Sequence, residues 1–286
     1  MPRVTIELPG GRRLDGGHRV GDARLRDLSG HDEDWLSGRT DDVATAVLVT
    51  DLLARVVDRL GDSEPPSRDD IADLLVADRD YLLLRVWELS YSGRVWLVEH
   101  CPRCAAKMDV TFAVADVPVE VRPQHENRLE LDLEDPNGQP VRVGVRLPSG
   151  RDQEALSSRP GDGVSFLLSR CVETVDGAPA GPDSLARLTP IVDRIDDALR
   201  SAAPVVELGI DLTCPECGHE FGLDCPIAPL VLDEIRSSGR HLLAEVHGLA
   251  LHYHWSEHDI LSLSRNRRRA YLTLLDRVLS PDEGAA

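Results

Sequence analysis

Apolar positions along the chain follow two different periods, and the switches between them mark the elements. Residues 1–40 open with RVTIELPGGRRLDGG, where apolar and polar side chains alternate ahead of glycine-rich turns, the pattern of a β-hairpin and loop. A related string, VRVGVRLPSGR (141–151), carries an alternating strand into a similar Leu-Pro turn, through shared turn chemistry or through a duplicated hairpin. TDDVATAVLVTDLLARVVDRLG (40–61) has helical spacing: Val43, Val47, Leu52, Val56 and Leu60 fall close to one stripe, and Gly61 supplies a stop. Ser67 and Asp70 are spaced as a capping box for a short helix through Leu75. Asp78 is placed to cap the apolar helix RDYLLLRVWELSYSG, which ends at Gly93.

Further along, 128–150 reads as a hairpin turning at Asp135-Pro136-Asn137-Gly138. VSFLLSRCVETV predicts a buried helix, DGAPAGPDS (176–184) a loop open to proteolytic nicking, and PIVDRIDDALRS (190–201) an amphipathic helix. The last third is helical, with a long helix starting near Pro229 and interrupted or strained at Gly239. A second capping box, Ser256 with Asp259, follows it. RNRRRAYLTLLDRVL closes the series with a basic first turn; because this opposes the helix dipole, those arginines require acidic neighbours or a partner. The expected class is α+β, organised as an N-terminal hairpin and loop (1–40), helices leading into a cysteine hairpin (41–114), an inserted hairpin-plus-helix region (115–204), a second cysteine hairpin (205–228) and a helical C-terminal segment (229–286). One integrated fold is expected, because the cysteines tie distant segments together.

Those cysteines carry the clearest chemistry. EHCPRCAAKMDV (99–110) and DLTCPECGHEFGL (211–223) repeat one Cys-Pro-x-Cys knuckle, giving Cys101, Cys104, Cys214 and Cys217. Each pair is a redox dithiol, a half of one metal site, or a remnant without metal. A Cys-x-x-Cys turn points both sulfurs to one side, and two such turns supply the four thiolates of a tetrahedral structural Zn²⁺ site. A redox dithiol of the thioredoxin type would open a helix, whereas both knuckles are flanked by alternating strand-like runs. The spacing therefore favours a zinc ribbon holding one structural zinc, closed to substrate. Gly218 suits the positive φ of the second knuckle, and Ala105 stands in that place in the first. Cys171 reads as a buried small hydrophobe. Cys225 is an alternate ligand or, more simply, a packed residue, and His219 is placed to donate to a thiolate. The histidines His247, His252, His254 and His258 lack metal-site spacing.

Charge narrows the partners. The formal net charge of −18 over 286 residues is unsuited to neutralising phosphates, so nucleic acid is not an expected partner, and the basic run 265–269 is too short to reverse that. No apolar run approaches the ~18 residues of a membrane span. The start MPRVTIELPGG lacks signal-peptide features, which gives a cytoplasmic expectation with reduced thiols. With no phosphate loop, dinucleotide fingerprint or nucleophile elbow in the sequence, neither an enzyme nor a small-molecule substrate is expected. Proteins remain as the partners.

Two long segments carry a family resemblance. DRDYLLLRVWELSYSGRVWLVEHCPRCAAKMDVTF, and the run from LTCPECGHEFGL through LLAEVHGLALHYHWSEHDILSLSRNRRRAYL, are similar to the T4-like phage base plate proteins, also described as baseplate hub assembly chaperones of contractile tails and phage-tail-like injection systems. IELPGGRRLDGG and VRLPSGRDQEAL also resemble that family. The resemblance implies a non-enzymatic assembly role in which the protein binds hub or spike subunits during baseplate construction. A permanent place in the baseplate and a zinc-ribbon nucleic-acid-binding regulator are the alternatives. Trp255, Arg267, Arg268 and Tyr271 are the candidate partner-binding residues, since aromatics and arginine dominate interface hot spots.

Overall fold

The computed structural model describes residues 3–13, 19–39, 42–91, 93–121, 127–135, 137–158 and 163–279. Its first unit comprises strands β1 (Arg3–Arg13) and β2 (Arg19–Arg26), helices α1 (Gly30–Ser37) and α2 (Thr45–Val56), strand β3 (Val57–Leu60), helices α3 (Arg68–Ala72) and α4 (Val76–Ser90), and the hairpin β4 (Arg94–His100) and β5 (Lys107–Ala113). After β6 (Val119–Glu120) the same order returns: β7 (Arg128–Glu134), β8 (Pro140–Arg146), α5 (Gly150–Ser157), α6 (Gly163–Cys171), β9 (Val172–Val175), β10 (Ala178–Pro179), α7 (Pro182–Leu188), α8 (Val192–Ala202), β11 (Val205–Val206), then the hairpin β12 (Gly209–Thr213) and β13 (Glu220–Asp224). Four helices close the chain: α9 (Ile227–Gly239), α10 (Leu242–Tyr253), α11 (Glu257–Leu261) and α12 (Arg265–Leu279). Small antiparallel sheets among packed helices make this an α+β protein.

The two units match to the register. In the first sheet Ala23, Arg24 and Leu25 pair with Leu60, Arg59 and Val57, with an irregularity after Arg24. In the second, Val143, Gly144 and Val145 pair with Val175, Thr174 and Val172, with the irregularity after Gly144. Arg26 forks onto Asp32 at 2.6 and 3.1 Å, and Arg146 onto Asp152 at 2.6 and 2.9 Å. Ser29 and Ser149 start the helices that follow, each donating its amide to those aspartates at 2.9 Å. The sequences agree once the register is known: VTDLLARVV (49–57) aligns with VSFLLSRCV (164–172), and Arg55 and Arg170 reach the same two aspartates. The fold is a tandem duplication. The segment between the knuckles, read from sequence as an insertion, is the body of the second repeat. The paired strings noticed in the sequence were out of step: Leu8-Pro9-Gly10 lies inside β1, whereas Leu147-Pro148-Ser149 leads into a helix and corresponds to Asp27-Leu28-Ser29.

Each repeat has its own core. Leu8, Leu25, Leu52, Leu53, Leu82, Leu83 and Trp87 are buried together in the first, and α9 adds Ile227, Val231, Leu232 and Ile235. Val141, Val143, Val145, Leu168, Leu188 and Ile195 form the second. β6 pairs with β11 and joins the repeats. They also dock crosswise. The amide of Gly150 donates to Leu74 O at 3.0 Å, and Arg79 lies over Gly150, donating to Gln153 and Thr50. A Cβ on Gly150 would fall 1.6 Å from that guanidinium, so only glycine fits. Helices α11 and α12 treat α1 in the same way: Gly30 donates to Leu263 O, Leu261 covers Gly30, and Arg268 reaches Glu33.

Several sequence expectations change. The helix read as 40–61 stops at Val56; Val57–Leu60 leaves it as β3, because its two buried apolar residues, the β-branched Val57 and Leu60, meet the open edge of β2. Its expected start at Thr40 lies outside the described residues, as do the Gly-rich turn after β1 and Pro136. A helix, α1, occupies part of the expected loop before residue 40, started by the Ser29 capping box. Asp78 does not cap α4. It sits buried in the first turn and accepts the Gly10 amide at 2.7 Å, fastening β1 to the helix. The Ser67–Asp70 box starts α3 as expected, though α3 ends at Ala72. The stretch 164–175 is helix only to Cys171, and α7 begins within the predicted loop at Pro182. The long C-terminal helix begins at Ile227 and ends at Gly239, which closes on Ser37.

Candidate metal centre

Each repeat ends in a two-stranded hairpin with a knuckle at its tip. In β4–β5 the ladder runs from Arg94↔Ala113 to His100↔Lys107, and alternation puts Val95 inward while Trp96 stands 70 % exposed. In β12–β13 it runs from Gly209↔Asp224 to Thr213↔Glu220. Beyond the last pair both chains turn alike. Cys101 N donates to Ala106 O and Ala105 N to Cys101 O; Cys214 N donates to His219 O and Gly218 N to Cys214 O, each at 2.9 Å. The residue after the second cysteine is left-handed in both, Ala105 at φ 58° and Gly218 at φ 67°. Ala105 thus accepts a conformation that glycine adopts freely.

The four sulfurs meet. Cys101 Sγ lies 3.7 Å from Cys217 Sγ, and Cys104 Sγ lies 3.6 Å from Cys214 Sγ. All four fall within 4.8 Å of one another. A thiolate tetrahedron about 2.3 Å from a central ion has sulfur–sulfur edges of about 3.8 Å, whereas a disulfide needs about 2.05 Å. All six cysteines are free thiols. Met108, Ala106, Leu212 and Phe221 pack a small apolar shell around the sulfurs. Desolvation raises the Cys101 thiol, but hydrogen bonds from the Cys104 and Arg103 amides and from neighbouring sulfurs outweigh it and bring it down to about 7. Ala106 N–H lowers Cys104, yet Cys217, desolvation and the other two sulfurs push it up to about 12. Four thiolates this close need a cation between them, and the donor set fits a tetrahedral, sulfur-preferring metal ion.

The remaining sequence candidates lie elsewhere. Cys225 is outside the sulfur cluster and packs against the first repeat's core; Cys171 is buried on α6, where desolvation pushes its thiol up to about 11. His219 serves its knuckle through its main-chain carbonyl, and its ring stacks on Phe221 at 5.9 Å. Among the described residues the only group of three or more His, Cys, Asp or Glu suited to a metal is the four-cysteine set, so the C-terminal histidines do not converge. His254 terminates α10 in a left-handed conformation, and the His258 ring lies tilted beside His31 at 5.2 Å.

The four partner-binding candidates divide. Trp255 and Tyr271 form an aromatic cluster with Tyr253, at centroid distances of 4.8 to 5.8 Å, and both are half-buried. Arg267 is exposed. Arg268 is fully buried between Glu33 and Glu245, so it offers nothing to a partner; the pair of carboxylates has drawn it inward. Arg265 joins the same cluster, 3.0 Å from Glu33 and over the Tyr91 ring. Sequence reasoning anticipated that these arginines need acidic neighbours, and Glu33 is the neighbour it missed. Beside this anchor, Leu243, Leu251, Leu274, Val278 and Leu279 are exposed on α10 and α12.

Fold and site together define a two-repeat α+β protein braced by a four-cysteine centre with no open coordination position. The model of the family described as T4 bacteriophage base plate protein matches residues 1–224, and the chain belongs to that family. The match ends at Asp224, the last residue of β13 and of the second repeat. No curated protein and no solved structure matches the chain. No helix among the described residues is long and apolar enough to cross a membrane.

Proposed function

We propose that the protein is a non-enzymatic, cytoplasmic assembly chaperone that binds hub or spike subunits of a contractile tail or tail-like injection system while the baseplate is built. Membership of the baseplate family supports a role alongside other baseplate proteins. The observation that carries the finer reading is the aliphatic surface of α10 and α12, with Leu243 at 73 % and Val278 at 74 % exposure on an arm anchored by buried charges. A cluster of exposed aliphatics marks a protein-contact surface. By covering an apolar assembly face of a hub subunit, the arm holds that subunit soluble until a tighter partner displaces it. One Zn²⁺ at Cys101, Cys104, Cys214 and Cys217 has a structural part in this reading, clamping the ends of the two repeats.

Purified particles decide the matter. A chaperone is expected in the lysate and in complexes with hub subunits, absent from sedimented particles, and required for baseplates to form. Stoichiometric recovery in finished particles would instead make the protein a permanent baseplate component.

A further inference from the structure

The second repeat carries an open counterpart of a groove that the first repeat fills with its own chain. In the first, α9 lies against α1, α2 and α4, and Val49 and Leu52 of α2 are 3 % and 0 % exposed. Their counterparts on α6 are again valine and leucine, Val164 and Leu167, but Val164 is 56 % exposed. The space between α6 and α8 is a groove of about 380 Å³, floored by Leu168 and Ile195 and edged by Leu199. Identical aliphatic types are thus kept where the helix that would cover them has no equivalent among the described residues.

The filled groove specifies what fits the open one. α9 enters with Ile227, Val231, Leu232 and Ile235, a stripe at i, i+4, i+5 and i+8. One exposed helix of this chain has matching chemistry. α12 is 15 residues long and presents Leu274, Val278 and Leu279 at i, i+4 and i+5, with exposed Arg277 and Asp276 beside them and exposed Arg267 and Arg269 nearer the start of the helix. The groove lip is acidic: Asp193 and Asp196 stand on it, and its one arginine, Arg200, is already 2.7 Å from Asp196. Apolar stripe and net-basic helix therefore meet apolar floor and acidic lip.

We propose that α12 of one copy docks in the α6–α8 groove of a second copy, a head-to-tail contact in which each chain offers one surface and receives with the other. The inference does not rest on the assembly reading; it uses the α12 face which that reading gives to a hub subunit, so self-association and hub binding compete for Leu274, Val278 and Leu279. A single helix in a groove buries less than the ~1,600 Å² of a standard interface, which places this contact with weak, transient ones. The net charge of −18 opposes it at long range, and salt near ~0.15 M screens that repulsion.

Sedimentation equilibrium on the full chain with its metal tests this, using Val164→Asp to spoil the groove and Val278→Asp to spoil the arm, both at exposed positions. Wild type is expected to exceed the mass of one chain at about 100 µM, each variant alone to stay monomeric with unchanged circular dichroism, and their mixture to form a one-to-one dimer, since each retains one intact surface. Asp196→Lys provides a second groove variant, expected to weaken association at least tenfold. A monomeric wild type at that concentration overturns the proposal and leaves the groove to a helix of another protein. Association that survives either aspartate substitution, or a mixture that stays monomeric, overturns it as well.

Discussion

Arg170 Nε lies 2.6 Å from Asp152 Oδ1, in the position that Arg55 Nε takes at 3.2 Å from Asp32 in the first repeat. Each aspartate thereby accepts the amide of the serine that starts its helix, accepts a forked arginine from the preceding strand and holds a second arginine from the following helix. Burial alone would raise the Asp152 carboxyl, but Arg146, the Ser149 amide and Arg170 outweigh it and hold the group far below the usual carboxylate range; Asp32 is lowered in the same way. A folded-state pKa below the unfolded ~3.9 gives stability that is present above about pH 4 and lost as pH falls towards the folded value. The contribution of these two aspartates to the unfolding free energy is expected to hold steady from pH 7 to about 4 and to drop below that. The difference between wild-type and variant profiles isolates it from buried carboxyls shifted the other way, such as Asp80. Asp152→Asn, costing about 2–3 kcal/mol at pH 7, should flatten that drop. An equally steep acid limb in the variant would assign the loss to other groups.

Glu33 is 235 residues from Arg268 and forms with it the anchor of the C-terminal arm. Glu33→Ala leaves two buried guanidinium groups with too few acceptors, an effect of about 3–5 kcal/mol when one partner of a buried pair is removed. The loss should concentrate in α11 and α12. Limited proteolysis is expected to release a fragment cut between about residues 254 and 265 before the repeats are attacked. Simultaneous, uniform digestion would mean that the arm and the repeats unfold as one unit.

The left-handed Ala105 offers a stabilising substitution. Ala105→Gly is expected to raise stability by about 1 kcal/mol, and Gly218→Ala to lower it by a similar amount, since the two knuckles demand the same backbone. Paired chemical denaturation curves would read both, and a destabilised Ala105→Gly protein would show that the Ala105 methyl contributes packing that outweighs its strain.

Elemental analysis of protein purified without added metal should find one zinc per chain, absent from Cys214→Ser. Removal by chelator deletes a contribution that reaches ~10–16 kcal/mol in small peptides, so the β4–β5 and β12–β13 hairpins are expected to lose hydrogen-exchange protection first. Full protection without metal would reduce the cysteines to packing residues.

Much of the site was legible because its signals are local. Two Cys-Pro-x-Cys turns between alternating strands point to one thiolate tetrahedron whatever lies between them, and the hairpins and knuckles lie where that reading puts them. The duplication was harder to see. Arg26, Ser29 and Asp32 repeat at Arg146, Ser149 and Asp152, yet the similar Leu-Pro strings at 8–9 and 147–148 suggested a false alignment, and only the shared strand register removes it.

The sequence by itself determined the elements that depend on a few neighbouring residues: the capping box at Ser67, the helix start at Ser256 (where the side chain caps Asp259 N without the reciprocal bond), the β7–β8 hairpin, the break after Gly239 and the cysteine knuckles. Tertiary structure alone decided what long-range partners control. Val57–Leu60 became a strand because the edge of β2 was there to pair with it. Arg268 turned inward because Glu33 and Glu245 await it, and Asp78 accepted a distant amide instead of capping its helix. Local propensity is worth tenths of a kilocalorie per residue, whereas an unpaired edge or a buried charge without its partner costs several. Where the two conflict, the distant contact prevails.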